Sequence, residues 1–203
     1  MDSTITRGLY RDITEYAATT PYWVHKLAEF WTEAGLLLFG VLFVVMWWRA
    51  RGGTTTEIAV AVLAPIATAI GYVVSESLKT VFDEERPCRT VTEAVGSLAT
   101  CPPVGDWSFP SNHSAIAGAA AVALLLVRPK LAWLTVPMAL LMAFSRVFVG
   151  VHYPHDVIVG LVLGGVVAAI AMAALRRPAT SLLGSMRTSR NGLVTWFAGP
   201  GRG

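Results

Sequence analysis

Residues 157–175 contain only aliphatic residues, alanine, glycine and one methionine. A bilayer core is crossed by a helix of about 20 apolar residues. A chain immersed there must satisfy its backbone hydrogen bonds within itself, which leaves a helix as the economical solution for one such run. Four further runs follow the same logic. Residues 34–48 are preceded by Glu33, and residues 58–78 are interrupted only by Ser75, Glu76 and Ser77 near the end. Residues 114–127 need the preceding turn to reach full length, and residues 131–144 continue towards Val151 through Ser145 and Arg146. Charged residues make up 14% of the chain and hydrophobic residues 54%, with a mean hydropathy of +0.57. A typical soluble protein is about 25% charged. Disorder, a coiled coil, a disulfide miniprotein and an ordinary cytosolic enzyme are all excluded. The sequence predicts an all-α, polytopic transmembrane helix bundle of about five spans.

The first thirty residues carry charges throughout and no apolar core of a signal peptide, so they read as no cleavable signal. Leu9, Ile13, Tyr16, Trp23, Leu27 and Phe30 recur at helical spacing and predict an amphipathic, interfacial segment over residues 1–33. Thr20-Pro21 reads as a helix restart, a capping hydroxyl before a proline. Trp47 and Trp48 mark the opposite interface. The net charge of +3 forms no stripe for nucleic acid and reads instead as topology. Arg49, Arg51, Arg128, Lys130, Arg176, Arg177, Arg187, Arg190 and Arg202 fall on one side, where Glu57 is the only acid. The positive-inside rule makes that side cytoplasmic and leaves the amino terminus, the loop 79–110 and the turn 152–156 outside. The expected organisation is one membrane-embedded domain over residues 1–178 and a loose cytoplasmic tail over 179–203.

Three polar groups then fall on one face of the membrane. Lys79 and Arg86-Pro87 follow the second span, Pro110-Ser111-Asn112-His113 opens the third, and Ser145-Arg146, His152 and Asp156 straddle the fourth and fifth. Ionisable residues at such depths are costly and mark function. Lys79, Arg86 and Arg146 suit a phosphate dianion, the arginines through paired N–H groups. Ser111 and Asn112 sit at a helix start, whose free N–H groups favour an anion. Asp156 lies four residues after His152 and can fix its tautomer, which makes His152 a nucleophile and leaves His113 to protonate the departing oxygen. Three cations in one place argue against a divalent metal, and no cofactor is expected.

This pattern resembles the type-2 phosphatidic acid phosphatase superfamily, related to the vanadium haloperoxidases. The resemblance rests on Lys79-x6-Arg86-Pro87, on Pro110-Ser111-Asn112-His113, and on Ser145-Arg146-x5-His152-x3-Asp156. It spans about residues 79–156. Asn112 stands where the family has glycine, and Asn tolerates left-handed backbone angles, so the phosphate cradle is expected to survive. The resemblance implies catalysis by His152, His113 and Asp156 through a phosphohistidine. It implies phosphate binding by Lys79, Arg86, Ser111, Asn112 and Arg146. His155 has no place in the signature and reads as a bystander, and Glu76 as a partner for Lys79.

A site at the membrane surface implies a lipid phosphate as substrate: phosphatidic acid, phosphatidylglycerol phosphate, or a polyprenyl phosphate or diphosphate. A phosphotransferase and a non-catalytic protein that binds anionic lipid are the alternatives. The second has no use for His113, His152 and Asp156. Cys88 and Cys101 share the outer loop, where a disulfide can form and persist, and are expected to bridge.

Overall fold

The computed structural model describes residues 5–201, and Arg202 of the basic tail lies outside them. Every regular element among the described residues is helical. In chain order they are α1 (Arg7–Thr19), α2 (Tyr22–Ala50), α3 (Thr55–Phe82), the one-turn α4 (Pro87–Thr90), α5 (Asn112–Val127), α6 (Ala132–Phe148), α7 (Pro154–Arg187) and α8 (Gly192–Ala198). The helices α2, α3 and α7, and α6 with the 3-10 turn before it, are long and apolar enough to cross a membrane. The helix α5 is apolar but shorter, at 16 residues. Leu37, Val41, Ile66, Val73, Leu140, Ile158, Val162 and Ile170 are exposed around the bundle. Apolar surface of that extent suits lipid rather than water.

The centre of the bundle is α5, flanked by α3 and α7. Ala115, Ala117, Ala119, Ala120 and Ala123 are buried on it, and a helix apolar all round belongs in the interior. Small residues let the backbones touch, which is how helices associate in a membrane. A Cβ at Gly118 would stand 2.2 Å from the Leu161 carbonyl oxygen, and one at Gly164 would stand 2.0 Å from that of Ala115. Neither position admits even alanine without moving a helix. On the other flank, Phe39, Met46, Leu124, Met138 and Met142 join α2, α5 and α6 in a second apolar cluster.

The five long helices alternate in direction. The starts of α2, α5 and α7 therefore gather with the ends of α3 and α6 at one end of the bundle. Ser75 of α3 meets Asn112 of α5 there, and the Ser111 N–H donates to the Asp156 carbonyl at 3.1 Å. At that same end α1 lies against the turn before α7. Tyr10 is 1% exposed, donates its hydroxyl to the Gly150 carbonyl at 2.9 Å, and packs its ring 5.6 Å from Tyr153. Burial, reinforced by Tyr153, pushes its phenol up to about 12, so Tyr10 stays a donor.

Two sequence expectations need correction. The helix restarts at Thr20-Pro21 as expected, but residues 22–33 belong to the first spanning helix and not to an interfacial segment. Thr20 does not cap α2, because its hydroxyl donates back to the Ala17 carbonyl at 2.6 Å. The tail is not loose either. The helix α7 continues through Pro178 to Arg187, and α8 folds back so that Trp196 and Phe197 pack on Trp47. Arg187 then donates to the Arg51 and Gly53 carbonyls, tying the tail to the turn between α2 and α3. Apolar residues at Trp196, Phe197 and the buried Ala198, too few to register as a span, are what bring α8 back.

Candidate active site

All three signature groups open onto one cavity of about 430 Å³, lined in part by Tyr72, Glu76, Lys79, Arg86, Asp106, Asn112, His113, Arg146 and His152. Lys79 reaches it from the last turn of α3, Arg86 from the turn before α4, and Arg146 from the last turn of α6. All three cations are buried, at 5%, 2% and 8% exposure, which is costly unless anions meet them. Lys79 Nζ donates to Asp106 Oδ1 at 2.7 Å, and Arg86 Nη2 donates to the same oxygen at 2.9 Å. Arg86 Nε also donates to the Asp106 carbonyl at 2.7 Å. Arg146 Nε has no hydrogen-bond partner among the described residues.

His152 sits in the turn between α6 and α7, 2% exposed. Its Nδ1 faces Asp156 Oδ2 at 3.3 Å and Ser108 Oγ at 3.4 Å, while Nε2 lies 3.0 Å from Arg86 Nη1. A guanidinium only donates, so Nε2 carries the lone pair and Nδ1 the proton. Burial, and then the charges of Arg86, Arg146 and Lys79, hold the imidazole well below its ordinary pKa and keep it neutral. Asp156 is fully buried and its Oδ2 is fixed from two further sides, by Ser108 Oγ at 2.5 Å and the Tyr153 N–H at 2.8 Å. The second contact also caps α7, so the orienting carboxylate is held by the helix it starts. His113 lines the cavity from the first turn of α5, and its Nε2 lies 3.6 Å from Glu33 Oε1.

Other sequence expectations fall differently. Ser111 is wholly buried and is not among the residues lining the cavity; its hydroxyl accepts from Ser114 at 3.2 Å. Asn112 does line it, but takes no left-handed angle: it is the first residue of α5, and Asp83 is the one non-glycine with positive φ among the described residues. Replacing glycine there costs no backbone strain. Its amide oxygen accepts from Ser75 at 2.8 Å and its amide nitrogen donates to Glu76. Glu76 therefore pairs with Asn112, and Lys79 with Asp106. His155 does not line the cavity, but its ring is held on both nitrogens. Its Nδ1 meets Thr6 Oγ1 at 2.7 Å, its Nε2 meets Glu84 Oε1 at 3.1 Å, and Asp156 Oδ1 lies 3.3 Å from Nε2. Glu84, His155 and Asp156 bring three metal-ligand atoms together; His155 spends both ring nitrogens on hydrogen bonds, while Asp156 Oδ1 and Glu84 Oε2 are buried with no hydrogen-bond partner among the described residues.

Cys88 and Cys101 are joined by a disulfide, with Cα atoms 6.0 Å apart. The bridge fastens α4 to the loop that carries Asp106 and Ser108, and the Ser108 N–H donates to the Glu84 carbonyl at 2.7 Å. Asp106, Ser108 and Glu84 went unread in the sequence. One signal was available for Asp106: it and Asp156 are the only acids after Glu93.

Residues 58–178 match the PAP2 superfamily. The chain belongs to that family. An undecaprenyl-diphosphatase of Sulfolobus acidocaldarius is 41% identical over 100 residues, 49% of this chain and 47% of that protein. The chain thus matches about half the length of that relative. The undecaprenyl-diphosphatase BcrC of Bacillus subtilis is 32% identical over 138 residues, 68% of each chain. In three dimensions the chain is similar to LpxE of Aquifex aeolicus, with a TM-score of 0.63 and 23% identity over 85% of this chain and 97% of that one. That likeness shows the fold.

Proposed function

We propose that this PAP2-family membrane phosphatase hydrolyses a lipid phosphate through a phosphohistidine, and that its substrate is a polyprenyl diphosphate presented on the outer leaflet. One observation carries the mechanism. A neutral histidine, His152, turns the lone pair of Nε2 towards a cavity walled by Lys79, Arg86 and Arg146, while its other nitrogen is held by Asp156. The Nε2 lone pair forms the N–P bond as the bond from phosphorus to the leaving oxygen breaks in line. The cations hold the phosphoryl oxygens as charge redistributes. His113 gives a proton to the leaving oxygen, then takes one from the water that cleaves the N–P bond, which releases phosphate and restores His152.

The names of the two relatives support the diphosphate reading. The side of the membrane rests on charge: the basic residues from Arg49 to Arg190 named above crowd the end of the bundle away from the cavity. By the positive-inside rule that end is cytoplasmic, the carboxyl terminus with it, and the cavity faces out. The chemistry runs on protein groups alone. Phosphate release from a panel of phosphatidic acid, phosphatidylglycerol phosphate and polyprenyl mono- and diphosphates in detergent tests the substrate. Polyprenyl diphosphate should give the highest kcat/KM, and a tenfold preference for a glycerolipid refutes that choice. His152→Ala should abolish turnover in a folded protein, and vanadate should inhibit. Loss of activity in EDTA with recovery on adding a divalent metal refutes the mechanism.

A further inference from the structure

We infer that Asp106 is a resident counter-anion in the phosphate seat, that substrate binds by exchanging with it, and that this exchange selects phosphoryl dianions over monoanions. The inference rests on the phosphate-cage reading above and names a residue outside its signature.

A single oxygen of Asp106 bridges Lys79 Nζ and Arg86 Nη2, the arrangement a phosphoryl oxygen would adopt between the same two cations. Both cations are almost fully buried, at 6% and 3% side-chain exposure, whereas the Asp106 side chain is 41% exposed. The anion, not the cations, has a way out to solvent. Its main chain is tied separately, through the Arg86 Nε bond to the Asp106 carbonyl and the nearby disulfide. The carboxylate can therefore swing away while its loop stays in place. Partial burial pushes the carboxyl up, but the hydrogen bonds and charges of Lys79 and Arg86 outweigh it and hold Asp106 below its ordinary value, so the seat holds a full negative charge at neutral pH.

Two consequences follow from what an incoming anion must displace. A monoanionic phosphodiester offers the cations no more charge than Asp106 already supplies, while a phosphomonoester dianion or a terminal diphosphate offers twice as much. The second consequence concerns the nucleophile. The guanidinium that Asp106 holds also donates into the Nε2 lone pair of His152. A phosphoryl group that takes over Arg86 draws that donor towards itself and frees the lone pair for attack. After hydrolysis the carboxylate returns and helps expel inorganic phosphate.

The test is an equilibrium titration of inorganic phosphate into the full-length protein in detergent, with thermal unfolding measured with and without phosphate. Asp106→Asn should bind phosphate about tenfold more tightly than wild type, a modest gain because the exposed carboxylate is partly screened. It should also melt at a lower temperature without phosphate, since two buried cations lose their anion, and recover when phosphate refills the seat. Asp106→Glu, which keeps a competing charge, should bind phosphate like wild type. Purification in phosphate protects the variant, and Asp106→Ser repeats the measurement if the amide variant does not fold. Equal or weaker phosphate binding by the neutral variants, with wild-type binding intact, overturns the exchange and leaves the cage reading standing. Absence of phosphate binding in wild type and variants alike overturns the cage and the exchange together.

Discussion

Replacing Asp156 by Asn separates the charge of this carboxylate from its geometry. Ser108 Oγ–H and the Tyr153 N–H both point at Oδ2, with His152 Nδ1 beside them. The carbonyl oxygen of Asn can take that position and keep all three. The amide nitrogen then falls where Oδ1 lay, 3.3 Å from His155 Nε2. The tautomer of His152 is therefore retained, and what is lost is the negative charge 3.3 Å from a ring that turns positive as it attacks. At an effective dielectric of about 20 that charge is worth about 5 kcal/mol against a full imidazolium. With half the charge developed in the transition state, about 2.5 kcal/mol is lost, roughly a 70-fold fall in rate. The contrasting outcome is a flipped tautomer, which in a serine protease costs about 10⁴ in kcat. Crowding of the amide against His155 falls on stability instead, about 1–3 kcal/mol. Single-turnover phosphate release at saturating substrate reads the first quantity and thermal unfolding the second. A rate loss of 10⁴ or more, or none, refutes this account of how Asp156 works.

Three further outcomes are expected. The folded state refuses a proton at His152, so its stability contribution is complete above about pH 6.5 and declines as pH falls below that value, at up to about 1.4 kcal/mol per pH unit. Urea unfolding at pH 7 and pH 5 should show this slope in wild type and a shallower one in His152→Gln; equal slopes contradict it. A cysteine at Gly105 should react with impermeant maleimide in intact cells and one at Arg177 should not, and the reverse pattern overturns the proposed orientation. Reducing the Cys88–Cys101 bridge should cost about 3 kcal/mol on the chain-entropy model and raise KM more than it lowers kcat, because it frees the loop that meets Arg86. Two alkylated cysteines in unreduced, denatured protein would remove the premise.

The bundle and the signature were legible because both are written in spacing. Apolar runs of span length fix the long helices, and His152 and Asp156, four apart around a helix start, meet without help from the rest of the fold. What stayed hidden depends on a loop returning to a distant helix. Asp106 reaches Lys79 across 27 residues and Glu84 reaches His155 across 71, and no local periodicity encodes either contact. Ser111 shows the converse, since its place in the motif suggested a phosphate ligand and the fold turns it inward. The docked α8 was missed for its brevity: seven residues give no periodic signal, and its hold depends on Trp47 and Arg51 far back in the chain.

The helices α1 and α2 lie wholly ahead of the family-matched residues 58–178. Even so, Tyr10 holds the carbonyl of Gly150 two residues before His152, and Thr6 holds the ring of His155. The family-matched region contributes the reacting groups, while a segment ahead of it sets the pose of the turn between them. A genetic screen would score Tyr10→Phe alongside changes at the signature although it touches no substrate. Transplanting the three signature segments into a relative with a different leader would carry the chemistry across and leave behind the alignment that makes it run.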